Sequence, residues 1–151
     1  MSFQEALKKS AEILKQGGVI LYPTDTVWGI GCDAKNEAAV EKVFALKKRA
    51  DTKSMLCLVA NVAMLERHIA QVPEAAYDII DLSEKPTTII FDQPIGVAKN
   101  LIGPDNSLGI RVAKDKFCSY LSQNIKGPLV STSANLAGQP TPKNFQEISQ
   151  E

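Results

Sequence analysis

The chain has no net charge: its 151 residues carry 17 Lys and Arg against 17 Asp and Glu. A protein that grips nucleic acid with its whole surface is strongly basic, so any contact with a polyanion must come from a local cluster of cations. Long apolar runs are also missing. None approaches the roughly 18 residues of a membrane span, and the N-terminus lacks a secretory-leader pattern, which excludes a spanning helix and makes the cytoplasm the expected location. Cysteine is scarce and scattered at Cys32, Cys57 and Cys118, with a single histidine, His68. No C-x-x-C or H-x-x-x-H element joins them, so a zinc site is not expected and reduced cytosolic thiols are. Cys57 is expected inside a strand as a small apolar residue. His68 is expected at a helix end, favoured there by the dipole or simply exposed. One histidine and no Ser-His-Asp or Cys-His motif leave no basis for covalent catalysis. Aromatics make up 6% of the chain, which weighs against a base-stacking platform without excluding one. Neither G-x-x-x-x-G-K-[ST] nor G-x-G-x-x-G occurs.

What is present is an ordinary globular composition, 44% apolar and 23% charged, in a length that suits one domain with its own core. Ser2 and Glu5 form a capping box for a first helix, with Phe3, Leu7 and Leu14 along its apolar side and Gly17-Gly18 at its end. Val19 to Tyr22 reads as a strand. A second helix is predicted from Asn36 through Ala39, Val40, Val43 and Phe44 to Lys47-Lys48-Arg49. Met55 to Ala60 is a buried strand, Asn61 caps a short helix toward His68, and Pro73 opens another through Tyr77, Ile79, Ile80 and Leu82. Strands at 87–91, 108–112 and 129–130 follow, with a helix around 117–123. Such alternation defines an α/β protein with a twisted mixed sheet flanked by helices. Asn144 and Glu147 look like the start of a helix, yet the chain stops at Glu151, so the expectation is a truncated chain.

Three segments carry chemistry. The first is Tyr22-Pro23-Thr24-Asp25-Thr26-Val27-Trp28-Gly29-Ile30-Gly31, a strand running into a loop of hydroxyls, an acid and glycines, where α/β sheets hold small molecules. The second is Lys47-Lys48-Arg49-Ala50-Asp51-Thr52-Lys53-Ser54. Arg49 and Lys53 can converge on a polyphosphate, one as a bidentate fork and one as a point charge. The third, Ser131-Thr132-Ser133-Ala134-Asn135 through Gly138, Pro140 and Thr141, places three hydroxyls and an amide after a strand, a cradle for phosphate or Mg²⁺. Arg111 stands in the apolar run Leu108-Gly109-Ile110-Arg111-Val112, and a charge there needs a partner, either a core carboxylate or a ligand carboxylate.

In their order and spacing these segments resemble the YrdC family of threonylcarbamoyl-adenylate synthases: Tyr-Pro-Thr-Asp-Thr-x-aromatic-Gly-x-Gly, then Lys-x-Arg-x-x-x-Lys, then Ser-x-Ser-Ala-Asn-x-x-Gly-x-Pro. The resemblance runs from about Ala6 to Gln150 and implies one YrdC-like domain over 1–151, an open sheet around a concave basic cavity. It implies synthesis of L-threonylcarbamoyl-adenylate from L-threonine, bicarbonate and ATP, with Mg²⁺ and release of pyrophosphate. The product would serve threonylcarbamoylation of adenosine 37 in tRNA through a partner transferase. Carried over by position, Thr26, Leu58, Arg111 and Ser131 would surround L-threonine. Lys47, Arg49, Lys53, Ser107, Ser133, Asn135 and Thr141 would surround ATP. No residue is expected as a nucleophile; positioning and electrostatics carry the reaction.

The chain departs from the family in several places. Where members carry Trp-Pro-Gly-Pro-x-Thr, residues 83–88 keep only Pro86 and Thr88. Ala113 replaces a proline, and Trp28 supplies the aromatic of the first motif. Family chains continue past the Ser-Ala-Asn loop into further strands with a Ser/Thr-rich segment, which this chain is expected to lack. Two other readings stand beside this one. The first is the carbamoyl-adenylate-forming module of hydrogenase maturation, which shares these motifs inside much longer chains. The second is a non-catalytic domain that binds tRNA or double-stranded RNA.

Overall fold

The computed structural model describes residues 2–23, 28–46 and 55–133, with the side chains of residues 23, 28 and 133 outside that set. Helix α1 spans Phe3–Lys15, and the Ser2 hydroxyl accepts from the Glu5 N–H at 3.2 Å. It ends in a Schellman motif: Gly17, at φ +84°, donates to the Leu14 carbonyl, and Gly18 donates to that of Ile13. Leu14 is fully buried, whereas Phe3 is exposed and meets Phe117 edge to face.

Strands β1 (Ile20–Pro23) and β2 (Trp28–Gly31) pair antiparallel, with Ile20 opposite Gly31 and Pro23 opposite Trp28. The second half of the first motif is therefore a strand and not the loop expected from its glycines. Helix α2 (Glu37–Leu46) starts where expected, Asn36 Oδ1 accepting from the Ala39 N–H at 3.0 Å. Strand β3 (Leu56–Val59) leads to helix α3 (Val62–His68), capped by Asn61 through the Met64 N–H, and helix α4 (Glu74–Leu82) follows Pro73. The apolar side expected for α4 is only partly covered, since Ala76 is buried but Leu82 is 80% exposed. Strand β4 (Ile89–Asp92) is followed by a 3-10 turn (Lys99–Leu101) and strand β5 (Ser107–Val112). Helix α5 (Lys116–Ile125) is capped by Asp115, and β6 (Leu129–Ser133) is longer than the two residues expected.

The six strands form one sheet in the order β1-β2-β6-β3-β5-β4. Only β3 and β5 run parallel, so the sheet is mixed, as the alternation predicted. Because side chains alternate along a strand, β3 sends Cys57 and Val59 to one core and Leu58 to the other. The first core joins the sheet to α2 and α3. The second sets Ile20, Tyr22, Leu58 and Leu129 against Ala11 and Leu14 of α1 and Cys118, Leu121 and Ile125 of α5.

His68 is not the exposed or dipole-stabilised residue expected at a helix end. It is 8% exposed and faces the Ile95 carbonyl through Nδ1 at 3.0 Å, because the 94–96 segment folds back onto α3. The Ile95 N–H donates to the His68 carbonyl at 2.8 Å, and a side chain on Gly96 would start 3.0 Å from the ring.

Candidate active site

Strand register decides which expected site residues share a face. Leu58 is paired with Arg111, Leu56 with Ser131, and Gly29 with Ser133. Gly109 is paired with Ile90. With alternation along each strand, Ser107, Arg111, Leu58, Ser131 and Ser133 all occupy the same side of the sheet. Thr132 takes the opposite side and is 3% exposed, so the three consecutive hydroxyls are divided between two faces. Helices α1 and α5 cover one half of the site face. The other half opens into a cavity of about 610 Å³ whose described lining includes Leu56, Thr88, Ile90, Asp105, Ser107 and Gly109.

Leu58 is buried in the second core beneath α5, and its carbonyl oxygen accepts from Ser122 Oγ at 3.4 Å. Ser131 is 9% exposed and lies near the buried Tyr22 phenol. Burial pushes the Tyr22 phenol well above its ordinary range, so it stays a neutral hydrogen-bonding group. Ser107 follows a tight turn in which the Gly103 N–H donates to the Ser107 carbonyl and Asn106 takes φ +61°. Its hydroxyl donates to Asp105 Oδ1 at 2.6 Å. A carboxylate at that distance repels phosphate, whereas the Ser107 lone pairs and the carboxylate suit nucleoside N–H and hydroxyl donors.

Arg111 is half-buried, which lowers the desolvation cost that its apolar run suggested. Its Nε and Nη2 both donate to Thr88 Oγ1, at 3.1 and 3.0 Å. Thr88 belongs to the segment between α4 and β4. Lys114 Nζ donates to the carbonyls of Ser83 and Lys85 in that segment, the latter at 3.2 Å. Sequence reasoning gave no role to either residue. Thr88 was legible only as a retained family position, and Lys114 carried no signal beyond its charge.

Thr26, Lys47, Arg49, Lys53, Asn135 and Thr141 lie outside the described residues, as does the side chain of Ser133. The expected basic lining rests largely on those positions. All three thiols are buried. Burial pushes Cys32 up to about 12 and Cys57 higher still. Among the described residues no three His, Cys, Asp or Glu side chains cluster to hold a metal, and no helix is long and apolar enough to cross a membrane.

An open mixed sheet with a half-covered face, carrying arginine and serines from distant strands, defines a small-molecule-binding α/β domain. Residues 12–151 match the Sua5/YciO/YrdC family, described as telomere recombination, and the chain belongs to that family. The threonylcarbamoyl-AMP synthase of Stenotrophomonas maltophilia is 36% identical over 146 residues, 94% of this chain and 78% of the relative. That of Pseudoalteromonas translucida is 35% identical over 150 residues, 97% of this chain and 80% of the relative. The crystal structure of P. abyssi Sua5 complexed with L-threonine superposes with a TM-score of 0.84 at 22% identity. The match covers 99% of this chain and 46% of the Sua5 chain, so that chain is about twice as long. At that identity the likeness establishes the fold alone.

Proposed function

We propose that this chain is a nucleotidyltransferase that forms L-threonylcarbamoyl-AMP from L-threonine, bicarbonate and ATP and releases pyrophosphate. The family and relatives named for this reaction, covered over 78% and 80% of their length, support the reading. The observation that carries it is the register of β3, β5 and β6, which brings Arg111 and Ser131 from distant parts of the sequence to one sheet face beside the cavity.

In this reading the threonine amine and bicarbonate condense to a carbamate with loss of water. A carbamate oxygen attacks the α-phosphorus of ATP; the new P–O bond forms as the bond to the bridging oxygen breaks, and pyrophosphate leaves. No protein nucleophile is required. Arg111 receives the threonine carboxylate as a guanidinium fork, and Ser131 and Thr26 fix the remainder of the amino acid. Lys47, Arg49 and Lys53 offset charge on the phosphates. Ser107, Ser133, Asn135 and Thr141 contact the nucleotide, Ser107 on its nucleoside part because of Asp105. Mg²⁺ brought with ATP would supply charge withdrawal at the phosphates; among the described residues no three His, Cys, Asp or Glu side chains cluster to hold it. The product serves a transferase acting on adenosine 37 of tRNA in the cytoplasm.

The test is pyrophosphate release with Mg²⁺–ATP, omitting L-threonine and bicarbonate in turn. Release that needs both is expected, with Arg49→Ala and Arg111→Ala each abolishing it. Release unaffected by omitting threonine refutes the reading. Salt-sensitive RNA binding without any release supports the non-catalytic alternative.

A further inference from the structure

We infer that Thr88 is a positioning residue for the substrate carboxylate, acting through Arg111; the inference rests on the threonine-binding role proposed above for that arginine. Arginine is a long, rotamer-rich side chain, and a half-buried guanidinium on an open sheet face samples several orientations unless something holds it. Here one oxygen takes two of its donors. Thr88 Oγ1 accepts from Nε at 3.1 Å and from Nη2 at 3.0 Å, which fixes the guanidinium plane and not merely the position of its charge.

The threonine itself is held by the segment around it. It lies just before β4, and Lys114, three residues beyond Arg111 in the chain, reaches back to the Ser83 and Lys85 carbonyls. Thr87 Oγ1 donates to the Lys85 carbonyl at 3.0 Å, closing the turn locally. Arg111 within β5 and Lys114 just beyond it thus secure residues 83–88 at both ends, and Thr88 is held against the arginine. The Thr88 methyl packs toward Gly109, where an added Cβ would lie 3.2 Å from Thr88 Cγ2, so the absence of a side chain at 109 seats the threonine on the face. Thr88 and Gly109 also both line the cavity.

A positioning role predicts a selective defect. Thr88→Val keeps the shape but removes the acceptor, and Thr88→Ser keeps the acceptor but removes the methyl. Pyrophosphate release by Thr88→Val should show a KM for L-threonine raised about tenfold, the scale of one hydrogen bond to a charged group. The KM for ATP should stay within about twofold, and Thr88→Ser should recover most of the loss. A parallel readout does not depend on turnover. The chain has only Arg49, Arg67 and Arg111, so the arginine Nε–H region of a ¹⁵N spectrum is simple and Arg111→Lys identifies the Arg111 signal. In the wild type that Nε–H should exchange slowly with water, and in Thr88→Val it should exchange fast or broaden. An unchanged Nε–H signal in Thr88→Val, an unchanged threonine KM, or equal losses for threonine and ATP would each overturn the inference. A wild-type protein without threonine-dependent release would instead remove the proposed reaction. The Nε–H comparison would then still decide whether Thr88 orients Arg111.

Discussion

The Tyr22 hydroxyl donates to the Val130 carbonyl at 3.3 Å, reaching from β1 over the whole width of β2 to β6. The glycines of β2 make that crossing possible. A Cβ on Gly31 would lie 2.5 Å from the Val130 oxygen and 2.6 Å from Tyr22 Cε1, closer than any real contact. Gly31→Ala is therefore expected to destabilise the protein by about 1–3 kcal/mol, and Tyr22→Phe by about 1 kcal/mol through loss of one buried hydrogen bond. Urea denaturation midpoints read both; a Gly31→Ala protein as stable as the wild type would show that the strands separate at no cost.

His68 gives stability a pH dependence. Burial lowers its folded pKa, outweighing the opposing bond to the Ile95 carbonyl. An unfolded histidine titrates near 6.5, so below that pH the unfolded chain binds more protons than the folded one. This contribution is fully present above about pH 6.5 and is lost as pH falls through the lower folded value. His68→Asn retains a donor for Ile95 without the titration. Its denaturation midpoint should fall less than that of the wild type between pH 7.5 and pH 5; equal slopes would count against the assignment.

The thiols should be silent in the native state. Cys32, Cys57 and Cys118 are all buried, and burial raises Cys32 to about 12 and Cys57 further, leaving little thiolate at neutral pH. A chromogenic disulfide reagent at pH 8 is expected to label none of them rapidly in native protein and all three in denaturant. Fast native labelling of even one would mean that its surrounding core opens locally.

Lys35 holds the end of α5. Its Nζ donates to the carbonyls of Ile125 at 2.8 Å and Lys126 at 3.1 Å, where the helix dipole also favours a cation. Lys35→Met keeps much of the stem and removes both bonds, for an expected loss of about 1–2 kcal/mol. Thermal unfolding monitored by circular dichroism measures it, and a shift indistinguishable from zero would assign the pair of bonds no net value.

Local chemistry was the legible part of this fold. Ser2, Asn36 and Asn61 cap helices where their side chains predicted, Gly17-Gly18 ends α1, and the apolar runs became strands. The misreadings have long-range causes. Trp28–Gly31 looked like a loop because glycine is a poor strand former, yet those glycines make room for Tyr22 and Val130, residues far apart in the chain. His68 looked exposed because nothing near it in sequence announces the fold-back of Ile95. The site divides in the same way. The motifs supplied Arg111 and Ser131, while pairing alone put them on one face and set Thr88, 23 residues upstream, against the guanidinium.

The position of β6 has a consequence for how the protein comes into being. This strand is the last of the six in the chain, yet it lies between β2 and β3, so the β1-β2 hairpin and the β3-β5-β4 half share no sheet hydrogen bonds until it arrives. During synthesis the two halves must wait, each with an open edge, for residues 129–133 to leave the ribosome and join them. Ser131 comes with that strand, so it joins Arg111 on one sheet face only in the same late, long-range step that closes the sheet.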